Sequence, residues 1–216
     1  MKIAFTLLLV LTGAFTAAQA QEVKGDAKAG EKKNAMCIGC HAIPGYHASF
    51  PQIYKVPMIS GQNAKYIVAA LDAYRKGDRK HPTMKAVAGS LTDQDIADLA
   101  AYYSTQGVGS NPTPVPATAE LPAALKEKMV ACVACHGTNF NNTIDPGNPR
   151  LAGQYADYLY EALKSYKTEG LPLVGRNNAT MVGMAKPLSD AEIRQIASYL
   201  ASLPGEMKTV PQSRFR

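Results

Sequence analysis

Hydrophobic positions along this chain form one unbroken run and then a series of helical stripes. Residues 3–18 are apolar apart from Thr and Gly, follow Lys2, and lead into Ala18-Gln19-Ala20. A basic start, an apolar stretch of that length and an A-x-A site read as a secretory signal peptide over residues 1–20, leaving a chain that begins near Gln21. The run is shorter than the ~20 residues of a spanning helix and lacks a basic stop-transfer flank, so an anchor is the weaker reading. Farther on the spacing becomes that of amphipathic helices. Ile67, Ala70, Leu71 and Tyr74 share a face over 61–76, and Tyr158, Leu159, Ala162, Leu163 and Tyr166 share one over 154–167. Two later stripes are Ile96, Leu99, Ala100, Tyr103 and Ile193, Ile196, Ala197, Leu200. Each starts at a capping box, Thr92 with Asp95 and Ser189 with Glu192. Residues 26–36, rich in Ala, Lys and Glu, predict another helix. Strand-type alternation is absent over any useful length, so the pattern predicts an all-α protein.

The stripes recur because the chain repeats itself. "PMISGQNAKYIVAALDAYRKG" (57–77) aligns with "PRLAGQYADYLYEALKSYKTE" (149–169), and "TMKAVAGSLTDQDIADLAAYY" (83–103) with "TMVGMAKPLSDAEIRQIASYL" (180–200). Between the copies, residues 107–120 are dense in Gly, Pro, Ser and Thr, a semi-extended linker. Two units follow, 21–106 and 121–206, with a tail at 207–216. Each is small, carries long loops (42–60, 137–153, 170–187) and buries too little apolar area to be comfortable alone. Something must fill the middle.

Charge changes the picture little. Residues 21–110 hold 11 basic and 8 acidic side chains, and residues 111–216 hold 11 and 9. No tract resembles a nucleic-acid arm, and an exported protein is a poor partner for nucleic acid.

The cysteines change it most. All four stand in two copies of one phrase, Cys37-Ile38-Gly39-Cys40-His41 and Cys132-Val133-Ala134-Cys135-His136. A redox C-x-x-C is expected beside a βαβ pattern, which is missing, and a disulfide closing so short a loop stabilises little. Structural zinc pairs stand about 15–20 residues apart, far closer than these. Covalent haem attachment fits: at a helix end, thiols at i and i+3 reach one porphyrin edge and the histidine at i+4 turns beneath the ring. Two covalently bound haem c groups would also supply the missing cores.

A sixth ligand decides whether such a site is open or closed. Met84 and Met181 alone recur in register, each after a threonine and seven residues before the leucine of L-[ST]-D. Met184 faces Val87 in the alignment, Met58 faces Arg150, and Met36 is too near His41, so packing is the better reading for these. His81 is a rival in the first unit, though its counterpart is Asn178. Pro57 and Pro149 are matched carbonyls that could hold the ligating imidazoles. Arg79 and Arg176, each five residues before its methionine, could bond haem propionates.

These residues closely resemble the diheme cytochrome c4 family, with "CIGCH…PMISGQ…M…LTDQDIADLAAYY" and "CVACHG…PRLAGQ…M…LSDAEIRQIASYL" as the two halves. The resemblance implies tandem class I cytochrome c domains about a pseudo-twofold axis, with propionates meeting at the interface. It further implies a periplasmic carrier of single electrons from a bc1-type complex or a dehydrogenase to a terminal oxidase, in loose association with the membrane. An alternative with the same chemistry is the cytochrome subunit of a dehydrogenase such as flavocytochrome sulfide dehydrogenase. The first unit departs in having Ala42 where the second has Gly137, and its loop to Gly-Gln is three residues longer.

Overall fold

In the computed structural model, residues 23–108 and 116–212 are described. The predicted signal peptide, the centre of the linker and the last four residues lie outside the described residues.

The first unit holds α1 (Ala27–Lys33), α2 (Ala35–His41), α3 (Ala64–Lys76), α4 (Pro82–Gly89) and α5 (Asp93–Thr105). The helix expected over 26–36 is therefore two, divided at the buried Asn34. A turn of 3-10 helix (Ala123–Leu125) opens the second unit, followed by α6 (Lys126–His136), α7 (Ala156–Lys167), α8 (Ala179–Ala185) and α9 (Asp190–Ser202). Both capping boxes are formed, each hydroxyl accepting from the third residue's N–H and each carboxylate accepting in return. The sequence read 170–187 as loop, yet α8 lies within it. Its seven residues are too few to show a period, and Asn178 caps it by accepting from Met181 N.

Among the described residues four two-residue strands also occur, too short for alternation to reveal. β1 (His47–Ala48) pairs with β2 (Tyr54–Lys55) inside the first unit, whereas β3 (Arg79–Lys80) pairs antiparallel with β4 (Gly175–Arg176) across the units.

Each unit has its own apolar cluster. In the first, Ile67, Leu99, Ala100 and Tyr103 are buried together. The second gathers more and larger groups, including Leu125, Met129, Phe140, Leu159, Ile193, Ile196 and Leu200. Helix crossing explains the difference. Gly30 of α1 lies so close to α5 that a Cβ there would stand 2.1 Å from Asp98 O. Leu125 occupies the same place before the second cysteine pair, and fills space that the first unit removes by close approach. Asp98 fastens the first crossing: it accepts from Asp26 N at 2.8 Å and from Lys33 Nζ at 2.6 Å.

Residues 207–212, read from sequence as part of a tail, run along the seam between the units. Met207 is buried, Lys208 N donates to Ser60 O at 3.0 Å, and Thr209 Oγ1 lies 2.9 Å from Tyr155 OH. Beside them Arg150 forms an ion pair with Glu206.

Candidate haem-binding centres

The two cysteine phrases end α2 and α6, where helical pitch puts each pair of thiols on one side of its helix. None of the four is in a disulfide. Among the described residues no three His, Cys, Asp or Glu side chains converge, so the four ligands of a structural zinc site are not assembled.

Both histidines are held from behind. His41 Nδ1 lies 2.8 Å from Pro57 O, and His136 Nδ1 lies 2.9 Å from Pro149 O. A carbonyl can only accept, so Nδ1 carries the proton and Nε2 keeps its lone pair. Burial pushes the pKa of each imidazole below its ordinary value, against the opposing pull of the proline carbonyl. Burial thus favours the neutral form of both rings.

Met84 and Met181 sit in the first turns of α4 and α8. Met84 N donates to His81 Nδ1 at 3.3 Å, and Met181 N donates to Asn178 Oδ1 at 3.0 Å. Positions 81 and 178 are thus N-caps, which accounts for a histidine facing an asparagine across the repeat.

These residues share one wall system. A continuous cavity of about 1030 Å³ spans both units, lined by both cysteine pairs, both histidines, Met84, Met181, Arg79 and Arg176. Met36, Met58 and Met184 also reach it, Met184 with 40% of its surface exposed. The volume matches the upper end of roughly 300–1,000 Å³ for a small-molecule pocket, and the lining is mostly apolar.

Where the units meet, the cavity wall is basic. Arg79 Nη2 donates to Tyr158 OH at 2.7 Å and Nη1 to Tyr66 OH at 3.2 Å, while its guanidinium stacks 4.5 Å from the Tyr74 centroid. Arg176 Nη2 donates to the same Tyr158 OH at 3.3 Å. Neither arginine makes an ion pair among the described residues, and Arg79 Nε is buried without a partner. Burial alone would raise the Tyr158 phenol, yet the two guanidiniums bring it down to about 7. Buried cations are paired in stable proteins. Two unpaired guanidiniums on an apolar cavity fit a macrocycle that brings its own carboxylates.

Sequence reasoning noted the Gly-Gln phrase but gave it no role. The structure gives Gln62 and Gln154 the central contacts between the units. Gln62 Nε2 donates to Arg150 O at 3.0 Å, and Gln154 Nε2 donates to Met58 O at 2.9 Å. Their recurrence in register was the available signal.

Two helical units, each ending an early helix in C-x-x-C-H over a large apolar cavity, define a tandem c-type cytochrome. A family model for cytochrome c matches residues 27–106 and 123–204. The cytochrome c4 of Azotobacter vinelandii is 33% identical, over 92% of this chain and 97% of that one. The crystal structure of reduced recombinant cytochrome c4 from Pseudomonas stutzeri superposes with a TM-score of 0.61 at 26% identity, over 83% of this chain and 100% of that one. A thiosulfate dehydrogenase electron acceptor from Stutzerimonas stutzeri is 29% identical over 93% of each chain. The chain belongs to the cytochrome c4 family of diheme cytochromes c. It carries two covalently bound haem c groups and is an electron carrier.

Proposed function

We propose that this protein is a periplasmic shuttle for single electrons, with two closed His/Met haem sites. In this reading Cys37 and Cys40, and Cys132 and Cys135, form the thioether links. His41 with Met84, and His136 with Met181, would ligate the two irons. The bound haem supplies a one-electron iron couple; the chain's residues hold, bury and tune it. Pro57 and Pro149 orient the imidazoles, and Arg79 and Arg176 take the propionates at the interface. Ligation of each iron by a histidine and a methionine would leave no open position for a substrate, so the activity would be outer-sphere transfer. The predicted signal peptide supports a periplasmic location. Among the described residues no helix is long and apolar enough to cross a membrane. A bc1-type complex or a dehydrogenase is the proposed donor and a terminal oxidase the proposed acceptor, docked loosely at the membrane.

The observation that carries this reading is the single cavity onto which both cysteine phrases, both register-matched methionines and both unpaired arginines open. Redox titration of the holoprotein should resolve two one-electron transitions, with a methionine-to-iron charge-transfer band in the oxidised state. Ready cyanide binding and no such band would sink the closed-site reading. Met181→Ala should turn only the second haem high-spin and lower its potential; the same result from Met184→Ala instead would reassign the ligand.

A second reading makes the protein the bound electron acceptor of a dehydrogenase. The loop of the first unit favours it, since Ile43 and Ile53 are exposed there away from the cavity lining. A relative named as a thiosulfate dehydrogenase electron acceptor points the same way. Gel filtration of native extract separates the two: a free carrier elutes at the size of one chain, a subunit with its enzyme.

A further inference from the structure

We propose that Gln62 and Gln154 are crossed positioning residues, each setting the strength of the hydrogen bond behind the proximal histidine of the opposite unit. The proposal rests on the reading of His41 and His136 as haem ligands.

The argument begins with one peptide group. Pro57 O, which takes the proton of His41 Nδ1, belongs to the same peptide unit as Met58 N. That N–H donates to Gln154 Oε1, from the second unit, at 3.1 Å. The mirror arrangement holds on the other side: Pro149 O serves His136, and Arg150 N of that peptide donates to Gln62 Oε1, from the first unit, at 2.8 Å. Each carboxamide can adopt only one orientation. Gln154 Oε1 also accepts from Tyr155 N at 3.0 Å, and Gln62 Oε1 from Asn63 N at 2.9 Å, while each Nε2 donates to a carbonyl. Both side chains are buried, at 3% and 5% exposure, so water does not compete. Met207 Sδ closes the space between them, 3.1 Å from Gln62 Nε2 and 3.7 Å from Gln154 Nε2.

Peptide resonance couples the two ends of each unit. An acceptor on the N–H shifts electron density toward the carbonyl oxygen, and hydrogen bonds in such a chain strengthen one another. A better carbonyl acceptor holds Nδ1–H more firmly and makes the imidazole a stronger donor to iron. A stronger donor favours the ferric state and lowers the potential. Each haem's potential therefore reports on whether the opposite unit is docked.

The test is redox titration of holoprotein variants, with Met181→His marking the second haem's spectrum. Gln154→Leu should raise the potential of the first haem, the one beside Cys37. The shift expected is about threefold in its oxidised-to-reduced ratio at fixed ambient potential, ~28 mV at 59 mV per decade. Gln62→Leu should do the same to the second. Gln154→Glu, which has the shape of glutamine and keeps an acceptor for Met58 N–H, should move the first haem in the opposite direction. Should a Leu variant fail to fold, the sign of the Glu shift still decides. Shifts confined to the haem of the mutated unit, or equal shifts of both, overturn the proposal while leaving the ligand reading intact. A Met181→His mark that alters neither haem's spectrum sinks the ligand reading and this proposal with it.

Discussion

The loops that leave the two haem-attachment helices start from equivalent histidines and take opposite courses. After His136 the chain passes through Gly137, whose φ of 79° and ψ of 162° lie in a region open essentially to glycine alone. That bend folds the loop back on its own unit: Phe140 is fully buried, edge-on to Tyr199 at 6.3 Å, and its carbonyl accepts from Leu151 N and Ala152 N. After His41 stands Ala42, at φ −100°, an ordinary L-residue conformation. The first loop accordingly runs into the β1–β2 pairing, and Phe50 stands on the wall of the cavity rather than in the apolar core. The residue after the histidine separates a loop whose aromatic side chain enters its own unit's core from one whose aromatic side chain stands on the cavity wall.

That contrast can be broken. The largest expected effect is Gly137→Ala, which combines a forbidden backbone conformation with a Cβ 2.0 Å from Asn142 O. It should destabilise the second unit by about 4 kcal/mol, read as a lower denaturant midpoint for the second haem's absorbance. Phe140→Ala should have a similar effect, about 4 kcal/mol, by opening a cavity in the larger cluster. Ile53→Ala, at a first-loop side chain that is 76% exposed and does not line the cavity, should shift the first haem's midpoint by less than about 0.5 kcal/mol. Equal effects of Phe140→Ala and Ile53→Ala would show that the first loop is packed.

Acid sharpens the comparison at the helix crossings. In the first unit both Asp95 and Asp98 titrate below the ordinary carboxylate value of 3.8. For Asp95 the main cause is the Lys33 ammonium; for Asp98, burial acts in the opposite direction and is outweighed by Lys33, Asp26 N and Gln94. The matching groups of the second unit are Glu192, held at about 2 by Ser189 and Lys128, and Gln195, which does not titrate. Carboxylates with depressed pKa values contribute stability that is complete above the unfolded value and lost as pH falls through the folded one. Below pH 3.8 the first unit should therefore lose stability more steeply than the second, and Asp98→Asn should reduce that excess. The measurement is the denaturant midpoint of each haem as a function of pH. The smallest effect belongs to Lys128→Ala, which removes one exposed ion pair to Glu192 at 3.0 Å and should lower the second unit's midpoint less than Lys33→Ala lowers the first.

What the sequence alone determined here is whatever depends on neighbours along the chain. Two capping boxes, four long helical stripes, the tandem repeat and the paired C-x-x-C-H phrases are all written within a few residues, where pitch and spacing dictate geometry. Comparison of the two copies did further work, because register singled out Met84 and Met181 among eight methionines. Other features needed the tertiary structure because they join residues far apart. Short α8 and the two-residue strands carry no period to detect. That Phe140 lies in the core and Phe50 on the cavity wall depends on where each loop is thrown. Met207, counted by sequence as the start of a tail, is buried between two glutamines that lie 145 and 53 positions earlier. The Gly-Gln phrase was visible as a repeat, but its partners were not, since each glutamine bonds to the peptide behind the other unit's histidine. Local order follows from the covalent chain; the contacts that join one haem unit to the other arise only once the two have closed on each other.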